Sequence, residues 1–292
     1  MTKKEFQTLT QNVLLLDGAT GSNLMASGMP RGICTETWIM EHKNIILDLQ
    51  KAYVQAGSRL IYAPTFGANR ITLSGFGLED QIETINHTLV AYAKEAAQNT
   101  AFVAGDITTS GKIISKESGY TYEMAYHNYR EQIQILYNAG VDCIIAETMI
   151  NIEEALAAVD AASSVCDLPV LCSMTVEADG SIFSGGNAME AAIALESAGA
   201  SAVGINCSVG PDQLVAIVRN MKEHVSIPVI AKPNAGMPFI DEKGNAVYTM
   251  EPQDFAKHMK VLVENGASII GGCCGTTPDY IRETAKILNL LS

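Results

Sequence analysis

The stretch SIIGGCCGTTPDY, residues 268–280, joins a short apolar run to a glycine-rich turn with two adjacent cysteines, and then to a helix start. Its threonines can cap that helix, and Pro278 suits the first turn. Seven earlier runs follow the same pattern: VLLLDG (13–18), RLIYAPTF (59–66), FVAGDI (102–107), CIIAET (143–148), PVLCSMT (169–175), AVGINC (202–207) and PVIAKPN (228–234). SIIGGCC (268–274) is the eighth. Each run leads through turn residues into a longer segment with helical periodicity. Several of those segments end in QAG (55–57), NAG (138–140), SAG (197–199) or NGA (265–267), where glycine can take the left-handed conformation that closes a helix. Near-continuous apolar strands alternating with helices predict a parallel sheet covered on its outer face. Eight such units predict an α/β protein, a (β/α)8 TIM barrel, forming one domain over residues 1–292. An open doubly wound sheet has the same periodicity and stands as the alternative.

Composition narrows the class. Of the 292 residues, 48% are hydrophobic, enough for a large core. A formal net charge of -13 with no Lys/Arg-rich run argues against nucleic acid and anionic membrane as partners. No segment approaches the ~18 apolar residues of a membrane span. The N-terminal MTKKEFQTLTQNVLLLDG lacks a secretory signal pattern, so the expected location is the cytoplasm. Seven cysteines in a reducing compartment are read as ligands, nucleophiles or small apolar residues rather than as a disulfide framework.

Barrel enzymes carry their chemistry on the loops after the strands. The runs end in Asp17 and Gly18, Thr65 and Phe66, Asp106, Glu147 and Thr148, Asn206 and Cys207, Asn234, and Cys273 and Cys274. In a closed barrel Cys207 meets Cys273 and Cys274, and Gly271, Gly272 and Gly275 let the chain turn both neighbouring thiols toward one ion. Three soft sulfur ligands favour zinc and leave its fourth position open, as in catalytic sites. Cys34, Cys143, Cys166 and Cys172 are read as packed apolar residues. Three thiolates make zinc a weak Lewis acid, poorly suited to forming hydroxide. They suit it to a thiol substrate, which loses its proton on coordination yet stays nucleophilic. Asp17 and Glu147 can hold an ammonium group, although Asp17 in DGATGS fits a turn or cap nearly as well. Glu147 ends an apolar strand and needs a partner. Backbone amides around Gly18, Ala19 and Thr20 can accept a carboxylate. Together these describe a pocket for an amino acid bearing a thiol.

GINC (204–207) with GGCCGTTP (271–278) resembles the homocysteine-binding, zinc-dependent S-methyltransferase family, and the likeness extends through LLLDGATGS, TFGANR, AETMINIEEA and PNAGMP. It is greatest for the homocysteine module of cobalamin-dependent methionine synthase. The resemblance implies zinc on Cys207, Cys273 and Cys274 with homocysteine sulfur as fourth ligand. It also implies amino-acid contacts from Asp17, Gly18 and Glu147, and a supporting role for Asn206. The methyl donor in that branch is methylcobalamin, attacked directly by the zinc-bound thiolate. Two departures stand out. GDITTSG (105–111) replaces the usual Gly-Pro after the third strand. The sequence also shows no folate barrel and no D-x-H-x-x-G cobalamin signature, so the donor is expected on a corrinoid partner, on a separate methyl-donor module, or as a small molecule. Two rivals remain: a Schiff-base enzyme using Lys232, against which stands an ordinary lysine near a strand, and a zinc-stapled thiol-binding subunit without turnover. The five histidines lie in or beside predicted helices, and no dinucleotide fingerprint is present.

Overall fold

The computed structural model describes residues 1–241 and 246–291. Eight strands appear where the eight runs predict them: β1 (Leu14–Leu15), β2 (Leu60–Tyr62), β3 (Phe102–Thr108), β4 (Cys143–Met149), β5 (Val170–Met174), β6 (Ala202–Asn206), β7 (Val229–Lys232) and β8 (Ala267–Ile270). They pair in parallel in the order β1-β8-β7-β6-β5-β4-β3-β2. A bridge between Leu16 and Leu60 joins the two ends, so the sheet is a barrel and not an open doubly wound sheet. The predicted glycine stops hold: Gly57, Gly140, Gly199 and Gly266 have φ of 112°, 80°, 96° and 111°.

Side chains alternate across each strand. Leu14, Leu60, Ala104, Ile145, Leu171, Ala202, Ile230 and Ile269 form an inner cluster. Their chain neighbours Leu15, Ile61, Val103, Ile144, Val170, Val203 and Val229 join helix residues in a larger outer one. The inner cluster also contains Phe6, from the helix Lys3–Leu9, which starts on a reciprocal Thr2–Glu5 capping box. Phe6 packs with residues at the strand starts and fills that end of the barrel. At Gly204 β6 lies so close to β7 that an added Cβ would stand 2.1 Å from the Ile230 carbonyl oxygen. The inward positions change character toward the strand ends. Two residues beyond Ala104, Ile145 and Ile230 stand Asp106, Glu147 and Lys232, all buried. No helix among the described residues is long and apolar enough to cross a membrane.

Candidate active site

Just past β6, Cys207 leaves the strand with φ 50°, a left-handed conformation that is uncommon without glycine and persists only where the surroundings enforce it. Its N–H donates to the Lys232 carbonyl at 3.3 Å, which ties the turn to β7. Beyond β8 the chain is held from both sides. Gly272 N–H donates to the Asp17 carbonyl (3.0 Å), Cys273 N–H to the Pro233 carbonyl (2.7 Å), and Ala235 N–H to the Cys274 carbonyl (2.9 Å). Gly275 then turns the chain with φ 83°. The three sulfurs of Cys207, Cys273 and Cys274 lie within 4.8 Å of one another, and those of Cys207 and Cys274 are 3.4 Å apart. Hydrogen bonds from Cys207 and Cys273 pull the Cys274 thiol down into the thiolate range, and contacts within the same trio hold the proton on Cys207. Three thiolates so close repel one another, so a full deprotonation needs a cation among them. The donor set, three soft sulfurs converging on the wall of an open cavity, fits zinc with one position left for a ligand.

That cavity, about 820 Å3, is lined by all three cysteines together with Asp17, Gly18, Ala19, Asp106, Glu147 and Lys232. Asp17 makes a long-range tether in place of the turn or cap bond that DGATGS suggested. One oxygen accepts the Tyr62 N–H at 2.8 Å, a structural tether, and the other is buried without a hydrogen-bond partner. Asp106 Oδ1 and Glu147 Oε2 are likewise buried and unpartnered. Lys232 is the one buried cation among the described residues. Its Nζ lies 3.6 Å from both Asp17 and Glu147, beyond good hydrogen-bonding distance, and 4.5 Å above the Tyr62 ring. Burial pushes Glu147 up to about 7 despite the pull of Lys232. Burial, followed by the neighbouring Glu147 charge, pushes Asp106 well above the usual carboxylate range. Burial works to neutralise Lys232, yet Glu147 and Asp17 overcome it and keep the ammonium charged. A lysine held in that state is a poor nucleophile, which removes the ground for the Schiff-base reading. Lys232 is not an ordinary surface lysine either. Asp17 and Glu147 share one lysine, so with both ionised the group carries one more negative than positive charge, a deficit that a ligand ammonium makes good.

Other residues hold these groups in place. Asn206 is fully buried and stands behind the residues that line the cavity, so it supports them and does not meet a ligand directly. Its Oδ1 accepts from Thr148 N–H and from the Ser173 hydroxyl, both at 2.8 Å. Its Nδ2 donates to Thr148 Oγ1 at 2.7 Å and approaches Cys273 Sγ at 3.9 Å. Thr148 has φ 58°, and the β4–β5 register shifts there, so Asn206 locks the bend that follows Glu147. Ala19 N–H donates to Thr276 Oγ1 at 3.1 Å, so this amide is already engaged within the protein. The GDITTSG loop is pinned by buried Glu154, which accepts from Thr109 Oγ1 (2.6 Å), Ser110 N–H (2.9 Å), Ser110 Oγ (2.6 Å) and Tyr129 Oη (2.8 Å). Cys34, Cys143 and Cys172 are buried and Cys166 partly so, all free and apart from the trio. Asp106, noted in the sequence only as a strand end, Lys232, noted only for the Schiff-base rival, and Tyr248, not noted at all, also line the cavity. For Asp106 and Lys232 the signal was available in the two-residue alternation from Ala104 and Ile230.

A closed parallel barrel with three cysteines at its mouth defines a class, and comparison with known proteins agrees. The homocysteine S-methyltransferase family model matches residues 14–288, and the chain belongs to that family. It is 30% identical to the methionine synthase of Mycobacterium leprae (strain TN) over 96% of its own length and 24% of that protein's. The methionine synthase of Mycobacterium tuberculosis (strain ATCC 25618 / H37Rv) is also 30% identical, over 95% of the chain and 25% of that protein. The chain thus spans about a quarter of the length of these relatives. Among solved structures, the metallated form of the homocysteine methyltransferase MmuM from Escherichia coli has the same fold. The TM-score is 0.80 at 22% identity, covering 97% of this chain and 99% of that one.

Proposed function

We propose that this protein transfers a methyl group to the sulfur of homocysteine, giving methionine, with zinc held by Cys207, Cys273 and Cys274. The observation that carries the reading is the shared cavity: three convergent sulfurs stand beside three buried carboxyl groups, each with an oxygen that makes no hydrogen bond, two of them facing Lys232 at 3.6 Å. When bound, zinc supplies the positive charge that lets an incoming thiol ionise near neutral pH. Asp17 and Glu147 receive the substrate ammonium. The backbone at Gly18 and Ala19 borders the amino-acid end of the pocket, and Asn206 steadies Thr148 and Cys273. The new S–CH3 bond forms as the donor's bond to that methyl group breaks, and the thiol proton leaves to solvent.

Methylcobalamin, carried by a corrinoid partner protein or domain, is the proposed donor, supported by the 30% identity to methionine synthases. Residues 1–292 are taken as one homocysteine-binding domain, and its free thiols suit the cytoplasm. The test is to incubate zinc-loaded protein and homocysteine separately with methylcobalamin, S-methylmethionine, S-adenosylmethionine, betaine and methyltetrahydrofolate, and to measure methionine. Product from methylcobalamin is expected. Product from S-methylmethionine, S-adenosylmethionine or betaine alone would replace the proposed donor. Homocysteine binding without product from any donor, even with a corrinoid protein added, would favour a thiol-binding subunit.

A further inference from the structure

The connection after β7 contains an antiparallel ribbon in which Phe239–Ile240 pairs with Ala246–Val247, and it returns to the barrel at Met250. Met250 N–H donates to the Ala235 carbonyl at 3.4 Å, and the Met250 carbonyl accepts the Tyr280 hydroxyl at 2.6 Å. Both ends of this connection are therefore tied down, with Tyr248 between the ribbon and the second anchor. Tyr248 lines the same cavity as the three cysteines. Its ring lies directly over Gly275: an added Cβ there would stand 2.3 Å from Tyr248 Cγ and 2.8 Å from Tyr248 Cβ. The glycine after Cys274 thus serves two ends, a left-handed turn and a seat for an aromatic ring. That seat, one residue past Cys274 in the same cavity wall, puts the phenol beside the Cys274 sulfur.

We infer that Tyr248 is a positioning residue for the sulfur cluster, covering Cys274 with its ring and donating its O–H to that sulfur. The inference rests on the zinc reading above and extends it. Three thiolates donate so much charge that the metal they hold is a weak Lewis acid. A hydrogen bond to one of them draws electron density back from the metal and leaves it better able to ionise an incoming thiol. The ring keeps bulk water and outside electrophiles from the same sulfur. One side chain performs both tasks, and two substitutions separate them. Tyr248→Phe keeps the cover and removes the hydrogen bond. Tyr248→Ala removes both.

The experiment uses the whole chain in two states. With cobalt(II) in place of zinc, the thiolate-to-metal charge-transfer band is expected to move to longer wavelength in Tyr248→Phe, because the Cys274 sulfur becomes richer in electrons. In the metal-free reduced protein, alkylation of Cys274 by iodoacetamide, located by peptide mass spectrometry, is expected to stay near the wild-type rate in Tyr248→Phe. It is expected to rise about tenfold or more in Tyr248→Ala, since reactivity follows access as well as thiolate content. Gly275→Ala, which displaces the ring, should behave as Tyr248→Ala does. An unchanged band in Tyr248→Phe overturns the hydrogen bond, and a wild-type alkylation rate in Tyr248→Ala overturns the cover. If the wild-type protein shows no thiolate charge-transfer band with cobalt, the metal reading itself fails, a different result from either.

Discussion

The two ends of the barrel share one wall and one alternation of side chains, yet they are built on opposite terms. Where the strands begin, Phe6, Leu14, Leu60, Cys143 and Ala202 fill the interior with apolar groups that need no partner. Where the strands end, the same inward positions carry Asp106, Glu147 and Lys232, and residues 148 and 207 have left-handed backbones without being glycine. Unpaired buried oxygens and constrained backbone both cost free energy. The lesson is a division of labour along the barrel axis: the closed end stabilises the fold, and the open end holds groups that wait for a ligand.

Substitutions at the two ends should break the protein in different ways. The largest effect is expected from Cys207→Ala. Losing a metal ligand costs more than losing the outer partner of one, so methyl transfer should fall by more than about a hundredfold. Zinc by elemental analysis should drop from stoichiometric to near zero while the urea midpoint barely moves. Stoichiometric zinc in this variant would defeat the three-sulfur assignment. At the other end, Phe6→Ala should cost about 3–5 kcal/mol of stability in denaturant titrations. Below its melting temperature it should bind zinc as wild type does, and a matching loss of zinc would show that the ends are not separable.

The smallest expected effect concerns pH. Glu147 is raised from 4.5 to about 7 in the fold, so the folded state favours its protonated form. That stability is fully present below about pH 4.5 and is lost as pH rises through about 7, at up to ~1.4 kcal/mol per pH unit. Lys232, Asp17, Asp106 and Cys273 face this carboxyl and share in its titration. Glu147→Gln should remove the slope, so its stability difference from wild type should grow in its favour between pH 5 and pH 8 in ligand-free protein. The same variant should bind homocysteine roughly tenfold or more weakly, the usual effect of losing a charged hydrogen bond. Parallel pH profiles for the two proteins would remove Glu147 from the strained group.

Much of this was legible in the sequence. The eight apolar runs and the glycine stops gave the eight strand and helix units, because strand burial and helix closure are local properties. The cysteine trio was also readable, since strand ends in a barrel converge wherever they lie in the chain. Closure itself rests on the Leu16–Leu60 bridge, a long-range contact that no periodicity reveals. Asp106 and Lys232 were harder because each looks ordinary alone; their meaning comes from facing one another across the barrel. Tyr248 follows a ribbon with no helical or strand pattern of useful length, and only its packing on Gly275 gives it a place.

The loop after β3 has a consequence for how the mouth responds to change. In this protein Glu154, near the start of the helix Ile152–Val165, ties the loop down with three hydrogen bonds and accepts a fourth from Tyr129 Oη. That helix follows directly from the strand that delivers Glu147. The loop after β3 and the end of the strand that carries Glu147 are therefore latched together, and a shift in one is handed to the other through a single carboxylate.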